Sequence, residues 1–114
     1  MATKFEYLDF INARDQINLR YGIDSKSCAL LRVIVQAHLN EQQITVSNVI
    51  ALRHIASPVT LHQGIKHLIN EKMVVTKNDS KDKRIKYLVP ATKALKLYRE
   101  LSALLVRTQA EAIA

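Results

Sequence analysis

Apolar positions along the chain fall into blocks of helical period separated by short polar breaks. In residues 3–20, TKFEYLDFINARDQINLR, the spacing of Phe5, Leu8, Phe10 and Ile11 predicts a first, weakly amphipathic helix. Tyr21-Gly22 ends it, and the glycine is suited to a left-handed cap. Asp24 or Ser25 then caps a second helix, whose Leu31, Ile34, Val35 and His38 share a face. Residues 40–43 make a polar connection. The β-branched run Ile44-Thr45-Val46 suggests a short strand, with Ser47 as N-cap of a helix carrying Val49, Ile50, Leu52 and Ile55. The clearest start signal follows in SPVTLHQGIKHLINEKM. Ser57 is the N-cap, Pro58 takes the first helical position, and Leu61, Ile65 and Leu68 form the inner face. In residues 74–89, VVTKNDSKDKRIKYLV, two runs of strand formers flank a charged tip, which predicts a hairpin. Pro90 breaks its second strand and Thr92 caps a last helix. There Ala94, Tyr98, Leu101, Leu105, Thr108 and Ala112 alternate at spacings of four and three, and Leu97 and Leu104 widen the stripe.

This order predicts a mainly α fold with a small β-hairpin. Two short helices, the second opening Ser-Pro, followed at once by a basic hairpin, make a winged helix-turn-helix. One domain, 1–114, is expected, with the helix-turn-helix and wing in 44–90. Residues 1–22 and 92–114 form the remaining helices. The last helix has a wider apolar face than a small core needs, and the first is too weak to stand alone, so both are expected to serve a homodimer through Phe5, Leu8, Tyr98, Leu101 and Leu105.

Charge adds a partner. The net charge is +7 and the pI about 9.8. Residues 1–57 hold six Lys/Arg against five Asp/Glu, and residues 58–114 hold eleven against five, so the excess lies with the hairpin and the helices beside it. Such asymmetry suits a polyanion. An α-helix fits the major groove of B-DNA, and a hairpin beside it reaches the neighbouring backbone or minor groove. Lys81, Lys83, Arg84 and Lys86 are placed to meet phosphates, and an Arg at the tip suits a narrow minor groove. Asp82, two residues before Arg84, is expected to brace it.

At this point the sequence resembles the MarR family of winged-helix transcription regulators, in a short, SarA-like form. The resemblance follows element order over nearly the whole chain. It is most specific over ITVSNVIALRHIASPVTLHQGIKHLINEKMVVTKNDSKDKRIKYLV, where DKR at 82–84 matches the family's Asp-x-Arg wing signature. It implies that Arg84 enters the minor groove with Asp82 as its partner. It also implies that small polar residues early in the recognition helix, here Ser57, Thr60, His62 and Gln63, with Lys66, face the major groove of double-stranded DNA. Family members are dimers, which agrees with the pattern of the end helices. Lys72 stands where the family often has Gly before the wing. Gly64 stands inside the recognition helix, where close packing against another helix would explain it.

Other chemistry finds little support. Cys28 has two readings, a thiol sensor early in a helix or a buried structural cysteine among Ala29, Leu30 and Leu31. A single cysteine forms no internal disulfide, which suits a reducing cytoplasm, with the nucleoid implied by the resemblance. His38, His54, His62 and His67 show no ligand spacing, so no metal or other cofactor is expected. His62 and His67 read as polar residues of a DNA-facing helix, and His38 and His54 as partly buried. Asp79 and Asp82 on a hairpin make no acid/base pair, and no Gly-rich phosphate loop exists, so an enzyme is not expected. No apolar run spans a membrane, and the opening stretch is no signal peptide. Nothing marks an effector pocket. Two rival functions stay open, a protein-interaction module and a non-specific nucleic-acid binder.

Overall fold

A computed structural model describes residues 5–113, with side chains to residue 110. The outermost parts of the two end segments, 1–4 and 114, and the side chain of Ala112 lie outside the described residues. The order is α1 (Glu6–Arg20), α2 (Ser25–Leu39), β1 (Ile44–Thr45), α3 (Val46–Ile50), α4 (Pro58–Asn70), β2 (Val74–Asn78), β3 (Lys86–Pro90) and α5 (Thr92–Ile113).

Three helices end in the same way. After α1, the N–H of Ile23 donates to Asn18 O at 2.9 Å and that of Gly22 to Leu19 O at 3.0 Å. After α2, Gln42 donates to Ala37 O at 2.8 Å and Glu41 to His38 O at 3.1 Å. After α4, Met73 donates to Leu68 O at 2.9 Å and Lys72 to Ile69 O at 3.0 Å. Each pair is a Schellman motif, which satisfies carbonyls the helix leaves open and needs a left-handed residue. The three such residues are Gly22 (φ 75°), Glu41 (φ 56°) and Lys72 (φ 61°). Lys72 thus adopts the conformation that a glycine would take at no steric cost.

Starts are equally local. Asp24 caps α2, its carboxylate accepting the N–H of Ser27 at 2.7 Å. That bond, first of all, holds its carboxyl below the ordinary value. The cap of α3 is Thr45 rather than Ser47. Thr45 Oγ1 accepts from Asn48 N at 3.1 Å, and Asn48 Oδ1 accepts from Thr45 N at 3.0 Å, a reciprocal pair that outcompetes the lone serine. The helix closes at Ile50, so Leu52 and Ile55 pack on the core from the turns that follow it. Ser57 and Pro58 open α4 as expected. Thr92 is the first helical residue of α5, not its cap. The Ala91 carbonyl accepts the N–H of Ala94 and Leu95.

The sheet is antiparallel in the order β1-β3-β2, with Ile44 opposite Leu88 and Asn78 opposite Lys86. Pro90 does not interrupt β3 but ends it, paired with Val74 where the ladder stops. The core lies between α2, α4, α5 and the sheet, around Leu31, Ile34, Leu68, Met73 and Leu97. At Gly64 the Leu30 side chain of α2 packs directly on the α4 backbone, and a Cβ there would overlap Leu30 Cδ1. α1 packs along α5, and together they draw the molecule out to 62 × 26 × 22 Å.

The caps yield two predictions. Replacing Lys72 or Glu41 by glycine raises stability by up to about 1 kcal/mol, whereas Gly22→Ala lowers it by about 1–2 kcal/mol, each read as a shift in urea midpoint. Asp24→Ala costs about 1 kcal/mol at neutral pH. Because the folded carboxyl is depressed, that difference is present above the unfolded carboxyl's ordinary value and fades as pH falls through the folded one. Denaturation of both proteins across that range checks it.

Candidate nucleic-acid interface

α4 has two faces of opposite character. Leu61, Gly64, Ile65 and Leu68 are buried, while Val59, His62, Gln63 and Lys66 stand exposed at i, i+3, i+4 and i+7. Ser57 and Thr60 are bonded to each other at the helix start, with Ser57 Oγ donating to Thr60 Oγ1 at 3.0 Å. Thr60 is half-buried and lines a cavity with Ser25 and Lys26, on the side toward α2. His67 belongs to neither outward group. Its Nε2 lies 2.7 Å from the Gly22 carbonyl, which accepts its proton, so it ties α4 to the α1–α2 turn rather than facing outward. His38 and His54 are exposed rather than partly buried. His38 lies in the last turn of α2, where a basic side chain suits the carbonyl end of the helix, and His54 lies in the turns after α3. Among the described residues, no group of three or more metal-binding side chains gathers.

The wing tip is built around two carboxylates. Asp79 Oδ2 accepts the N–H of Lys81 and of Asp82, both at 2.9 Å, and its Oδ1 accepts the Tyr87 hydroxyl at 2.9 Å. The two backbone donors, then the hydroxyl, hold the Asp79 carboxyl below its usual range. The same bond raises the Tyr87 phenol. Asp82 accepts the Arg84 N–H at 3.0 Å and its Nε–H at 3.2 Å on Oδ1, and its Nη2–H at 3.2 Å on Oδ2. The guanidinium is therefore gripped along one edge while its side chain stays 91% exposed. An ion pair so exposed adds little to stability, and its effect is orientation. Lys77, Lys81, Lys83 and Lys86 are exposed and make no salt bridge among the described residues. A groove of about 420 Å³ runs between the start of α3 and the wing, lined by Thr45, Val46, Ser47, Arg84, Ile85 and Lys86.

Three of these features escaped sequence reasoning. Asp79 is an Asx-type turn residue whose carboxylate can take backbone N–H groups two and three positions on, so its role was readable in principle. Tyr87 and the exposure of Val59 depend on register and packing and left no local signal.

On the elongated edge, Phe5, Leu8 and Leu105 are exposed, and Tyr98 and Leu101 are half-buried against the protein's own core. Burial, above all, pushes the Tyr98 phenol up to about 12. Arg20 joins Glu100 at 3.3 Å across α1 and α5. Cys28 is half-buried, its Sγ 4.0 Å from Asn18 Nδ2, and both line a cleft of about 550 Å³ between α1 and the start of α2, a concavity that the sequence did not reveal.

No family model and no curated protein sequence matches the chain. Solved structures do. MepR of Staphylococcus aureus in complex with DNA superposes with a TM-score of 0.76 at 16% identity, over 90% of this chain and 75% of that one. MarR of the same organism, in complex with salicylate and kanamycin, gives 0.63 at 25% identity, over 94% and 67%. ZitR of Lactococcus lactis gives 0.58 at 20% identity, over 79% and 57%. The superpositions run over most of the chain and take in its helices together with the small three-stranded antiparallel sheet, and the chain has the winged helix-turn-helix fold of the MarR-family regulators.

Proposed function

We propose that the protein is a sequence-specific double-stranded DNA-binding transcription regulator, acting in the cytoplasm as a homodimer. In this reading α4 lies in the major groove and Arg84 of the wing enters the minor groove. The observation that carries it is the wing tip, where Asp82 fixes the one guanidinium in a single pose while the surrounding lysines keep their charge unpaired. An arginine held by its Nε edge keeps its outer N–H donors free for the acceptors on the floor of a narrow groove. Lys81, Lys83 and Lys86 supply the salt-dependent phosphate attraction. His62, Gln63 and Lys66 present donors and acceptors from the exposed face of α4, and Ser57 and Thr60 order its first turn, where base edges come nearest. Asp79 acts behind them by setting the shape of the loop. The DNA in the MepR complex, a protein of the same fold, supports the same partner here.

The homodimer rests on the exposed apolar side chains of α1 and α5. Phe5, the cap of α1, with Leu8 of α1 and Leu105 of α5, lies open on two helices that already pack together, while Tyr98 and Leu101 are half-buried. Two-fold pairing of residues 1–22 and 92–114 would cover them and present two copies of α4 to two half-sites.

Selection of bound fragments from a random duplex pool, at about physiological salt, tests the proposal. An enriched inverted repeat with half-sites about 10–10.5 base pairs apart, or a multiple of that, is the expected outcome. Retention without enrichment would leave only non-specific nucleic-acid binding, and no retention would turn the reading to a protein-interaction module.

On the selected duplex, Arg84→Ala weakens binding roughly tenfold or more. Asp82→Ala also weakens it, although it removes a negative charge. Fluorescence anisotropy separates this from simple charge counting, under which Asp82→Ala tightens binding. Leu8→Glu combined with Leu105→Glu leaves each monomer folded, since both sites are solvent-exposed within it. Sedimentation then shows monomer at concentrations where the wild type is dimeric.

A further inference from the structure

Val59 is unexplained by folding. It is the second residue of α4, it is 68% exposed, and a β-branched side chain is a poor helix former. It lies on the outward stripe with His62, Gln63 and Lys66. With Ile50 of α3 and Pro58 it floors a shallow apolar depression of about 320 Å³, which His62, Gln63 and Lys66 border. The depression thus joins an apolar floor to a polar border that carries one cation, Lys66, without a carboxylate among its lining residues.

We propose that this depression receives the 5-methyl group of a thymine, making Val59 a specificity-determining residue of the DNA interface; the inference rests on the DNA-binding reading above. The thymine methyl is the one apolar group that base edges present in the major groove. The first turn of a recognition helix is where side chains meet those edges. A polyanion carrying a methyl group matches both the floor and the lysine at its border, whereas an apolar peptide would leave Lys66 without countercharge. Gln63, one helical turn beyond Val59, carries an amide of the geometry that pairs with adenine N6 and N7. The two side chains together favour a half-site with thymine and adenine in neighbouring positions.

The test replaces each thymine of the selected duplex, one at a time, by uracil. This removes the methyl group and leaves base pairing and phosphates unchanged. At one or two positions per half-site, uracil lowers wild-type affinity roughly three- to fivefold, about the worth of burying one methyl group. Val59→Ala abolishes that preference, binding thymine and uracil duplexes alike, and keeps the wild-type salt dependence. Its thermal unfolding is not lowered, because the side chain is exposed and alanine is the better helix former. The proposal falls if uracil is tolerated at every position by the wild type, or if Val59→Ala still discriminates. It falls as well if duplex DNA is retained without sequence enrichment, although nucleic-acid binding then survives. If no duplex is retained at all, the DNA-binding reading falls with it.

Discussion

The outward stripe of α4 depends on how that helix is seated on α2. Gly64 lets the two helices approach until Leu30 fills the space a side chain would take. Leu61, Ile65 and Leu68 then lock the same face into the core. Helical geometry does the rest, since once these four positions point inward, residues 59, 62, 63 and 66 must point out. The glycine costs about 1 kcal/mol of helix propensity, and the close packing offsets it. His67 adds a second constraint from the far end of the helix, through its bond to the Gly22 carbonyl. Lys93 adds a third, donating to Glu71 O at 2.9 Å and tying the end of α4 to α5. The exposed stripe is therefore aimed by contacts to three different helices or turns.

The wing solves a different problem. A hairpin crowded with lysines repels itself, and its tip is too small to bury anything. Two aspartates organise it instead, one gathering backbone N–H groups and the other gripping Arg84. The backbone N–H groups hold the Asp79 carboxyl, and the Arg84 side chain and N–H hold the Asp82 carboxyl, below the ordinary value, so the bonds that shape the tip favour the charged form of each. Their negative charge lowers the net attraction for a polyanion. In return, one cation is held by a carboxylate beside wing lysines that make no salt bridge among the described residues.

What was legible in the sequence follows from which interactions are local. Ser57-Pro58, the Leu61/Ile65/Leu68 spacing and the Asp82-x-Arg84 pair act within one turn or one loop, and all were readable. The cap of α3 was misplaced by two residues because Ser47 and Thr45 are both good caps, and the choice between them lies with the Asn48 side chain. Lys72 gives no hint by its type that it takes a left-handed conformation, and only the family resemblance, with Gly often at that position, points to one. That follows from the Schellman motif, which the buried Met73 continues into the core. His67, His38 and His54 were misjudged for the same reason. A histidine fits a surface or a core equally well by type, and only tertiary contacts decide. Of the candidate interface, the residue types were readable, and the Asp79–Tyr87 link and the open position of Val59 were not.

The bare apolar edge formed by α1 and α5 has a further consequence. Phe5, Leu8 and Leu105 are large side chains facing water on a protein of 114 residues. An assembly that forms by covering them gains stability with concentration, so dilution acts on it much as a denaturant would. Below the dissociation constant of such a pair, the amount of two-headed species varies with the square of the amount of chain. Occupancy of a paired site would then rise and fall more steeply than synthesis itself, a threshold that needs no small molecule.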